Sequence, residues 1–181
     1  MSYELKPIVI AGWAGIGKTT LAQKYANVRD MEEMPYHWIM SPYDMAHKEE
    51  MKGRREAERT LNPDFPDNYI QAIKDEMGKY LVLTIWDHDS MWPHYRDAGI
   101  EYILCHPDQR LATIAIYKQR YAARGNREDF VDRVSRGIKT IAPDYAHKAS
   151  PKATWILHGE ETLEDRLLEM GYPLVPNGEE K

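Results

Sequence analysis

The sequence predicts a three-layer α/β/α fold in which helices cover both faces of a parallel β-sheet. Its apolar runs lack strict alternation of polar and apolar residues, which is typical of strands buried on both faces. Stretches with helical spacing lie between these runs, so we expect a crossover helix after each strand. With 181 residues, the chain is long enough for one domain with a sizeable core.

Four apolar segments and one short polar segment are the predicted strands. In chain order they are residues 7–11, a short segment near 27–30, and residues 81–86, 100–105 and 153–157. The predicted helices have apolar residues three or four positions apart and residues that end helices after them. They comprise residues 20–26, a helix with Ile70, Ile73 and Met77 before Gly78, a helix that Ser90 could cap and Gly99 ends, residues 108–123, a helix with Val131, Val134, Ile138 and Ile141, and a last helix with Leu163, Leu167 and Met170.

A glycine-rich loop between the first strand and the first helix carries the strongest functional signal. Residues 12–19 read GWAGIGKT and match the phosphate-binding pattern G-x-x-x-x-G-K-[ST] completely. Its glycines let backbone N–H groups approach phosphate oxygens, and the helix that follows directs its positive end at the same anion. Lys18 is expected to reach the β- and γ-phosphates, and the Thr19 hydroxyl to bind Mg²⁺. The alternative, a glycine turn that binds nothing, leaves Lys18 and Thr19 unexplained.

We therefore predict a nucleoside triphosphate site. Its binding residues are Gly12, Trp13, Ala14, Gly15, Ile16, Gly17, Lys18, Thr19 and Thr20.

Acidic residues follow two of the other predicted strands. In open α/β sheets, ligands bind beyond the carboxyl ends of the strands. Asp87 follows the strand 81–86, so we predict that it binds Mg²⁺ together with Thr19; Asp89 could share this role or cap the next helix. Asp30 ends the short second strand and is predicted to hold the acceptor and take its proton. A turn or helix-cap role for Asp30 remains the alternative.

A basic segment near the middle of the chain predicts a lid. Arg120 and Arg124 are four residues apart and share one helix face, and a Gly-Asn pair then ends the helix. Residues 118–130 are expected to close over the phosphates and bring both guanidinium groups to the transferring phosphoryl group. A solvated basic face is the alternative.

The stretch 45–59 is dense in charge and has no apolar stripe. It is either a solvated helix or insertion, or a flap on the substrate side whose arginines meet an anion. The turn-rich segment 62–69 follows, and its Phe65 and Tyr69 either pack a hinge or stack on a planar ring. We assign residues 42–68 to an insertion on the substrate side of a single domain, 1–175, with a frayed tail at 176–181.

Composition limits the classes of function. The formal net charge is −5 and the pI is about 5.8, which argues against broad electrostatic binding to nucleic acid. The single cysteine, Cys105, excludes an intrachain disulfide and a cysteine zinc cluster, and its apolar neighbours predict a buried thiol. Without an apolar signal segment or a run long enough to span a membrane, the chain is expected to be a soluble cytoplasmic protein without a membrane role. The oligomeric state is left open.

These features resemble the small P-loop kinases of the nucleoside and nucleoside monophosphate kinase superfamily, and more closely its compact phage-type members. The matching pieces span residues 7–142 and are GWAGIGKTT, the Asp30 segment, NPDFPDNYI, the strand with Asp87-His88, AGIEYILCHPD and QRYAARGN. The resemblance implies a five-stranded parallel sheet in the order 2-3-1-4-5, an ATP donor and Mg²⁺. An Asp-Gly-Phe-Pro-Arg segment of the adenylate kinase type does not follow Asp87, so the resemblance does not extend to that acceptor site.

Together, the sequence predicts an ATP- and Mg²⁺-dependent transfer of a phosphoryl group to a nucleoside or nucleotide. Lys18, Asp30, Arg120 and Arg124 are the predicted catalytic residues. Two alternatives remain: a kinase for another small hydroxyl compound or a polynucleotide 5′ end, and a nucleotide-dependent switch or regulatory ATP-binding protein.

Overall fold

The computed structural model describes residues 6–47, 59–140 and 148–178. These residues contain five strands: β1 Ile8–Gly12, β2 Val28–Asp30, β3 Val82–Trp86, β4 Ile103–Pro107 and β5 Ala153–Leu157. They also contain eight helices: α1 Lys18–Lys24, α2 Met34–His37, α3 Pro42–Ala46, α4 Asp67–Glu76, α5 Trp92–Asp97, α6 Leu111–Ala123, α7 Glu128–Lys139 and α8 Leu163–Glu169.

The five strands form one parallel sheet in the order β2-β3-β1-β4-β5. This confirms the predicted class, strand number and strand order. The central strand β1 pairs with β3 on one side and β4 on the other, and Gly12 aligns with both Trp86 and Cys105. The loop after β1 therefore begins beside the carboxyl ends of both neighbours, where side chains from three strands converge.

Apolar side chains cover both faces of the sheet. Ile10 belongs to one buried cluster with Leu21, Tyr117 and Tyr121, whereas its neighbour Val9 belongs to a second. The second cluster contains Tyr69, Ile73, Trp92 and Tyr95 from α4 and α5. Successive strand residues point to opposite faces, so the two clusters are the two interfaces of a three-layer structure. Cys105 is buried, as predicted.

Several element boundaries differ from the sequence prediction, and each difference has a local cause. The strand predicted at 100–105 is shifted to Ile103–Pro107, because the Ile100 N–H donates to the Tyr95 carbonyl at 2.9 Å and helps to end α5. The helix predicted from Asp108 begins at Leu111, because the Asp108 carboxylate accepts from the Arg110 N–H at 3.0 Å in a preceding turn.

Ser90 does not cap α5. The residue at that position is Met91, and the Ser90 hydroxyl instead lies 2.8 Å from Nδ1 of His88. The α7 helix ends at Lys139, and the predicted position Ile141 lies outside the described residues.

The end of the chain packs on the first helix. The backbone N–H of Asn177 donates to the Lys24 carbonyl at 2.8 Å, and its side-chain amide donates to the Gln23 carbonyl at 2.6 Å. Two residues of the predicted frayed tail, Pro176 and Asn177, are thus held in place, while residues 179–181 lie outside the described part. None of the helices in the described ranges is both long enough and apolar enough to cross a membrane.

Candidate functional site

The glycine loop, residues 12–19, connects β1 directly to α1. Its two last glycines, Gly15 and Gly17, have φ values of 88° and 103°, a region that side chains with a Cβ rarely adopt. The Trp13 N–H donates to the Cys105 carbonyl at 2.9 Å, so the loop is fixed to β4 where it leaves the sheet. The structure thus gives the phosphate-binding sequence the strand–loop–helix setting that its chemistry requires.

Lys18 lies at the first position of α1 and folds back over the loop. Its ammonium group donates to the Gly12 carbonyl and, at 3.3 Å, to the Trp13 carbonyl. The side chain is half-buried. These contacts hold a positive charge over the loop, where it can bind phosphate oxygens.

Thr19 and Asp30 are in direct contact. The Thr19 hydroxyl donates to one carboxylate oxygen of Asp30 at 2.8 Å, and the Thr84 hydroxyl donates to the other at 2.7 Å. Because Asp30 ends β2 and Thr84 lies in β3, the carboxylate joins two strands to the predicted metal-binding hydroxyl. A carboxylate beside a hydroxyl oxygen is the type of ligand environment that Mg²⁺ prefers.

Asp87 follows β3 and is 7% exposed. One carboxylate oxygen accepts from the Trp92 indole N–H at 3.0 Å, and the other has no hydrogen-bond partner among the described residues. Burial raises the pKa of Asp87 to about 7, while the Trp92 hydrogen bond and the Lys18 charge act in the opposite direction. A buried carboxylate oxygen without a partner fits a metal ion or a metal-bound water.

Asp89 is less suited than Asp87 to bind a metal ion. It is exposed, and its carboxylate lies 3.2 Å from the His88 ring. His88 itself is exposed and stacks on Trp86, with ring centroids 4.6 Å apart. Of the two acids, Asp87 is therefore the one with an unsatisfied oxygen at the strand ends.

A third acid, Glu33, lies near the same edge. Burial raises its pKa, the Lys18 charge lowers it, and the charges of Glu32 and Asp30 raise it further. The sequence analysis did not single out Glu33, although its position after β2 is the same signal that identified Asp30. The edge of the sheet beside Lys18 is thus strongly acidic, which favours a cation there.

Arg120 reaches the glycine loop from α6. Its guanidinium donates to the Gly15 carbonyl at 3.4 Å and to the Glu160 carbonyl at 2.6 Å, and it lies over the Tyr117 ring. The structure therefore brings Arg120 to the predicted phosphate site. To contact a transferring phosphoryl group, this guanidinium must leave the carbonyl groups that it binds here.

Arg124 directly follows α6 as its C-terminal capping residue, and the hairpin turns at Gly125, whose φ is 74°. Its side chain is exposed and forms no hydrogen bond or ion pair with any of the described residues. The predicted lid, 118–130, is the helical hairpin formed by the end of α6, this turn and the start of α7. Lys118 and Asp132 join its two helices by an ion pair of 2.9 Å.

An aromatic surface lies beyond the ends of β2 and β3. It consists of His37, Trp38, Phe65 and Trp86, all of them half-buried. His37 stacks on Phe65 with centroids 4.3 Å apart and on Trp38 with centroids 4.4 Å apart. Trp86 directly precedes Asp87 in the chain, so this surface adjoins the acidic edge of the sheet.

Tyr69 is not part of this surface. It is fully buried, its hydroxyl donates to the Met31 carbonyl at 2.6 Å, and it accepts from the Trp86 N–H at 2.9 Å. Of the two rings that the sequence offered for stacking, only Phe65 is partly exposed. Tyr69 ties the ends of β2 and β3 together.

The charged stretch 45–59 falls mostly on residues 48–58, which lie outside the described residues. Its described end, Arg59, lies with its guanidinium over the Trp38 ring at 5.5 Å. Trp38 also pairs with Leu61 in an isolated antiparallel bridge. The described end of the charged stretch thus lies beside the aromatic surface.

Within the described ranges, no group of three or more His, Cys, Asp or Glu side chains could hold a metal ion alone. The Thr19–Asp30 pair and Asp87 supply fewer ligands, which suits Mg²⁺ because this ion keeps several waters and takes further oxygens from phosphates.

The sequence matches no protein-family model and shows no significant similarity to a curated protein.

Proposed function

We propose that the protein binds ATP with Mg²⁺ and transfers the γ-phosphoryl group to a nucleoside or nucleotide. The observation that carries this proposal is the contact between Thr19 and Asp30, because it joins the glycine loop to the acidic edge of the sheet. The resemblance to small P-loop kinases supports the same assignment.

Each part of the site has a role in this proposal. The loop amides and Lys18 bind the triphosphate, and the Thr19 hydroxyl and Asp87 hold the metal. Mg²⁺, when bound, would neutralise charge on the β- and γ-phosphate oxygens. Arg124, and Arg120 once released from its carbonyl partners, would stabilise charge on the transferring group.

The acceptor is assigned from the aromatic surface and Asp30. A nucleobase stacked on Phe65 or Trp86 places its sugar toward the acidic edge, and Asp30 would accept the proton of the attacking hydroxyl. This arrangement favours a base-containing acceptor over a simple hydroxyl compound. A polynucleotide 5′ end also carries bases, so it is included among the acceptors that are tested.

The test is a screen of acceptors with Mg²⁺ and ATP, read by the mass of the phosphorylated product. The panel contains nucleosides, nucleoside monophosphates, a 5′-hydroxyl oligonucleotide and ribose, and Lys18→Ala protein serves as the control for contaminating kinases. We expect a product with a nucleoside or nucleotide and none with ribose. Slow ATP hydrolysis that no acceptor accelerates would support the nucleotide-dependent switch instead.

A further inference from the structure

Three hydrogen bonds, here called ties, hold the outer side of the glycine loop, and the sequence did not predict them. The Tyr121 hydroxyl donates to the Ala14 carbonyl at 2.7 Å, Arg120 donates to the Gly15 carbonyl, and the Leu163 N–H donates to the Ile16 carbonyl at 2.9 Å. Three consecutive carbonyl groups of the loop are therefore bound by α6 and α8.

These ties determine where the next three amides point. In a trans peptide, the C=O and the following N–H lie on opposite sides of the bond. With the carbonyls of residues 14–16 directed at α6 and α8, the N–H groups of Gly15, Ile16 and Gly17 are directed away from those helices. None of these three N–H groups donates to another group in the part of the chain that the structure describes.

Tyr121 is the best-defined of the ties. The Trp13 indole N–H donates to the Tyr121 hydroxyl at 3.2 Å. Because an indole N–H can only donate, the hydroxyl must accept there, and its own proton is directed to the Ala14 carbonyl. The Tyr121 side chain is 1% exposed, so water does not compete for this bond.

Packing supports the same arrangement. A Cβ on Gly15 would lie 2.8 Å from the Tyr121 ring, and a Cβ on Gly137 would lie 3.1 Å from the far edge of Trp13. The loop thus lies directly on the Tyr121 ring, and the Trp13 indole is enclosed between α6 and α7. Neither position tolerates much displacement of the loop.

We propose that Tyr121 is a positioning residue for the triphosphate: its hydroxyl holds the Ala14–Gly15 peptide so that the Gly15 N–H faces the phosphate oxygens. This inference rests on the proposed function, since the ligand of the loop is taken to be a nucleoside triphosphate. A preorganised amide need not reorient when the anion binds, which improves affinity.

Tyr121→Phe tests this proposal because it keeps the ring and removes only the hydroxyl. Tyr117→Phe is the matched control, since Tyr117 lies one turn earlier on α6, is fully buried, and its hydroxyl forms no hydrogen bond with the glycine loop. Calorimetric titrations would measure the Kd of Mg²⁺-ATP and of inorganic tripolyphosphate. Loss of one neutral hydrogen bond predicts a Kd about three- to tenfold higher for both ligands in Tyr121→Phe. The Kd should stay unchanged in Tyr117→Phe.

A spectroscopic readout separates positioning from general stability. On tripolyphosphate binding, the Gly15 amide proton should shift downfield in the wild type and shift less in Tyr121→Phe. Trp13→Phe leaves the Tyr121 hydroxyl without its donor and should give a smaller loss of affinity, which keeps the test open if Tyr121→Phe folds poorly.

Equal affinities in Tyr121→Phe and Tyr117→Phe would overturn the proposal, as would an unchanged Gly15 shift. A wild-type protein that binds tripolyphosphate but phosphorylates no acceptor would refute the proposed kinase activity and leave the positioning role intact. A wild-type protein that binds neither ligand would refute both.

Discussion

The Thr19 hydroxyl and the Asp30 carboxylate are 2.8 Å apart, although one belongs to the glycine loop and the other ends a different strand. Thr19 is the predicted metal ligand, so Asp30 lies beside the predicted metal site. The position of Asp30 in the sequence did not indicate this contact. Asp30 can therefore orient Thr19 as well as hold an acceptor.

Asp30→Asn should show which role dominates. We expect turnover to fall by about a hundredfold or more if the carboxylate takes the acceptor proton. The Mg²⁺ concentration for half-maximal rate should also rise, since an amide does not attract the cation. Steady-state rates over a Mg²⁺ series measure both effects.

Thr84→Val is the control for Asp30→Asn, because it removes the second hydrogen bond to Asp30 and leaves the Thr19 contact in place. It should have a much smaller effect on the rate. A rate for Asp30→Asn within twofold of wild type at every Mg²⁺ concentration would remove Asp30 from the mechanism.

The raised pKa of Asp87 predicts that the free energy of unfolding depends on pH. Its pKa is raised from 3.8 to about 7 in the folded protein. Between these values the folded state retains a proton that the unfolded chain has released, so the Asp87 contribution to stability decreases as pH rises through this window. Above pH 7 the Asp87 contribution to the free energy of unfolding no longer decreases. The total decrease is roughly 4 kcal/mol, calculated from the difference between the two pKa values.

The measurement is denaturant unfolding of wild type and Asp87→Asn between pH 5 and pH 8 without nucleotide or metal. We expect the variant to become progressively more stable relative to wild type as the pH increases. A difference that does not change with pH would show that Asp87 is ionised throughout.

Lys18→Ala should lose turnover while the protein stays folded. The ammonium group contacts only backbone carbonyls of the loop among the described residues, so its removal leaves the core intact. Lost stabilisation of transition-state charge predicts that the rate falls by about a hundredfold or more. Lys24→Ala, on the same helix and paired with Glu164 at the surface, should retain the wild-type rate. Wild-type turnover in folded Lys18→Ala would contradict the proposed role of the loop.

Arg124→Ala should reduce kcat with little change in the Kd of ATP, since its guanidinium is exposed and touches no part of the loop in this structure. A reduction of about a hundredfold is expected for a group that acts on the transferring phosphoryl. Arg127→Ala, in the same turn but ion-paired with Asp129 at 3.0 Å, should stay near the wild-type rate. Equal effects of the two substitutions would favour the solvated basic face.

Most of the sheet was predictable because four of its strands are apolar runs, and a buried strand leaves a strong local signal; β2, with the sequence Val-Arg-Asp, leaves a weaker one. Boundaries were less predictable where a polar contact decides them, as at Ile100 and Ser90. The start of α8 could also have been predicted. Thr162 and Asp165 form a capping box there, and their spacing in the sequence is typical of that motif.

The glycine loop and the acids after the strands were also predictable, since their chemistry is carried by residue type and local position. The Thr19–Asp30 contact, the burial of Asp87 against Trp92 and the Tyr121 tie were not. Each joins residues far apart in the sequence, so only the folded arrangement determines which side chains meet.

The bond from Leu163 to the Ile16 carbonyl has a consequence for biosynthesis. The glycine loop is synthesised well before α8, because most of the described chain lies between them. A nascent chain that ends before Leu163 has β1, the loop and α1, yet lacks one of the bonds that orient the loop. If the loop binds a nucleotide as proposed, full affinity should therefore appear only after α8 has docked on the loop.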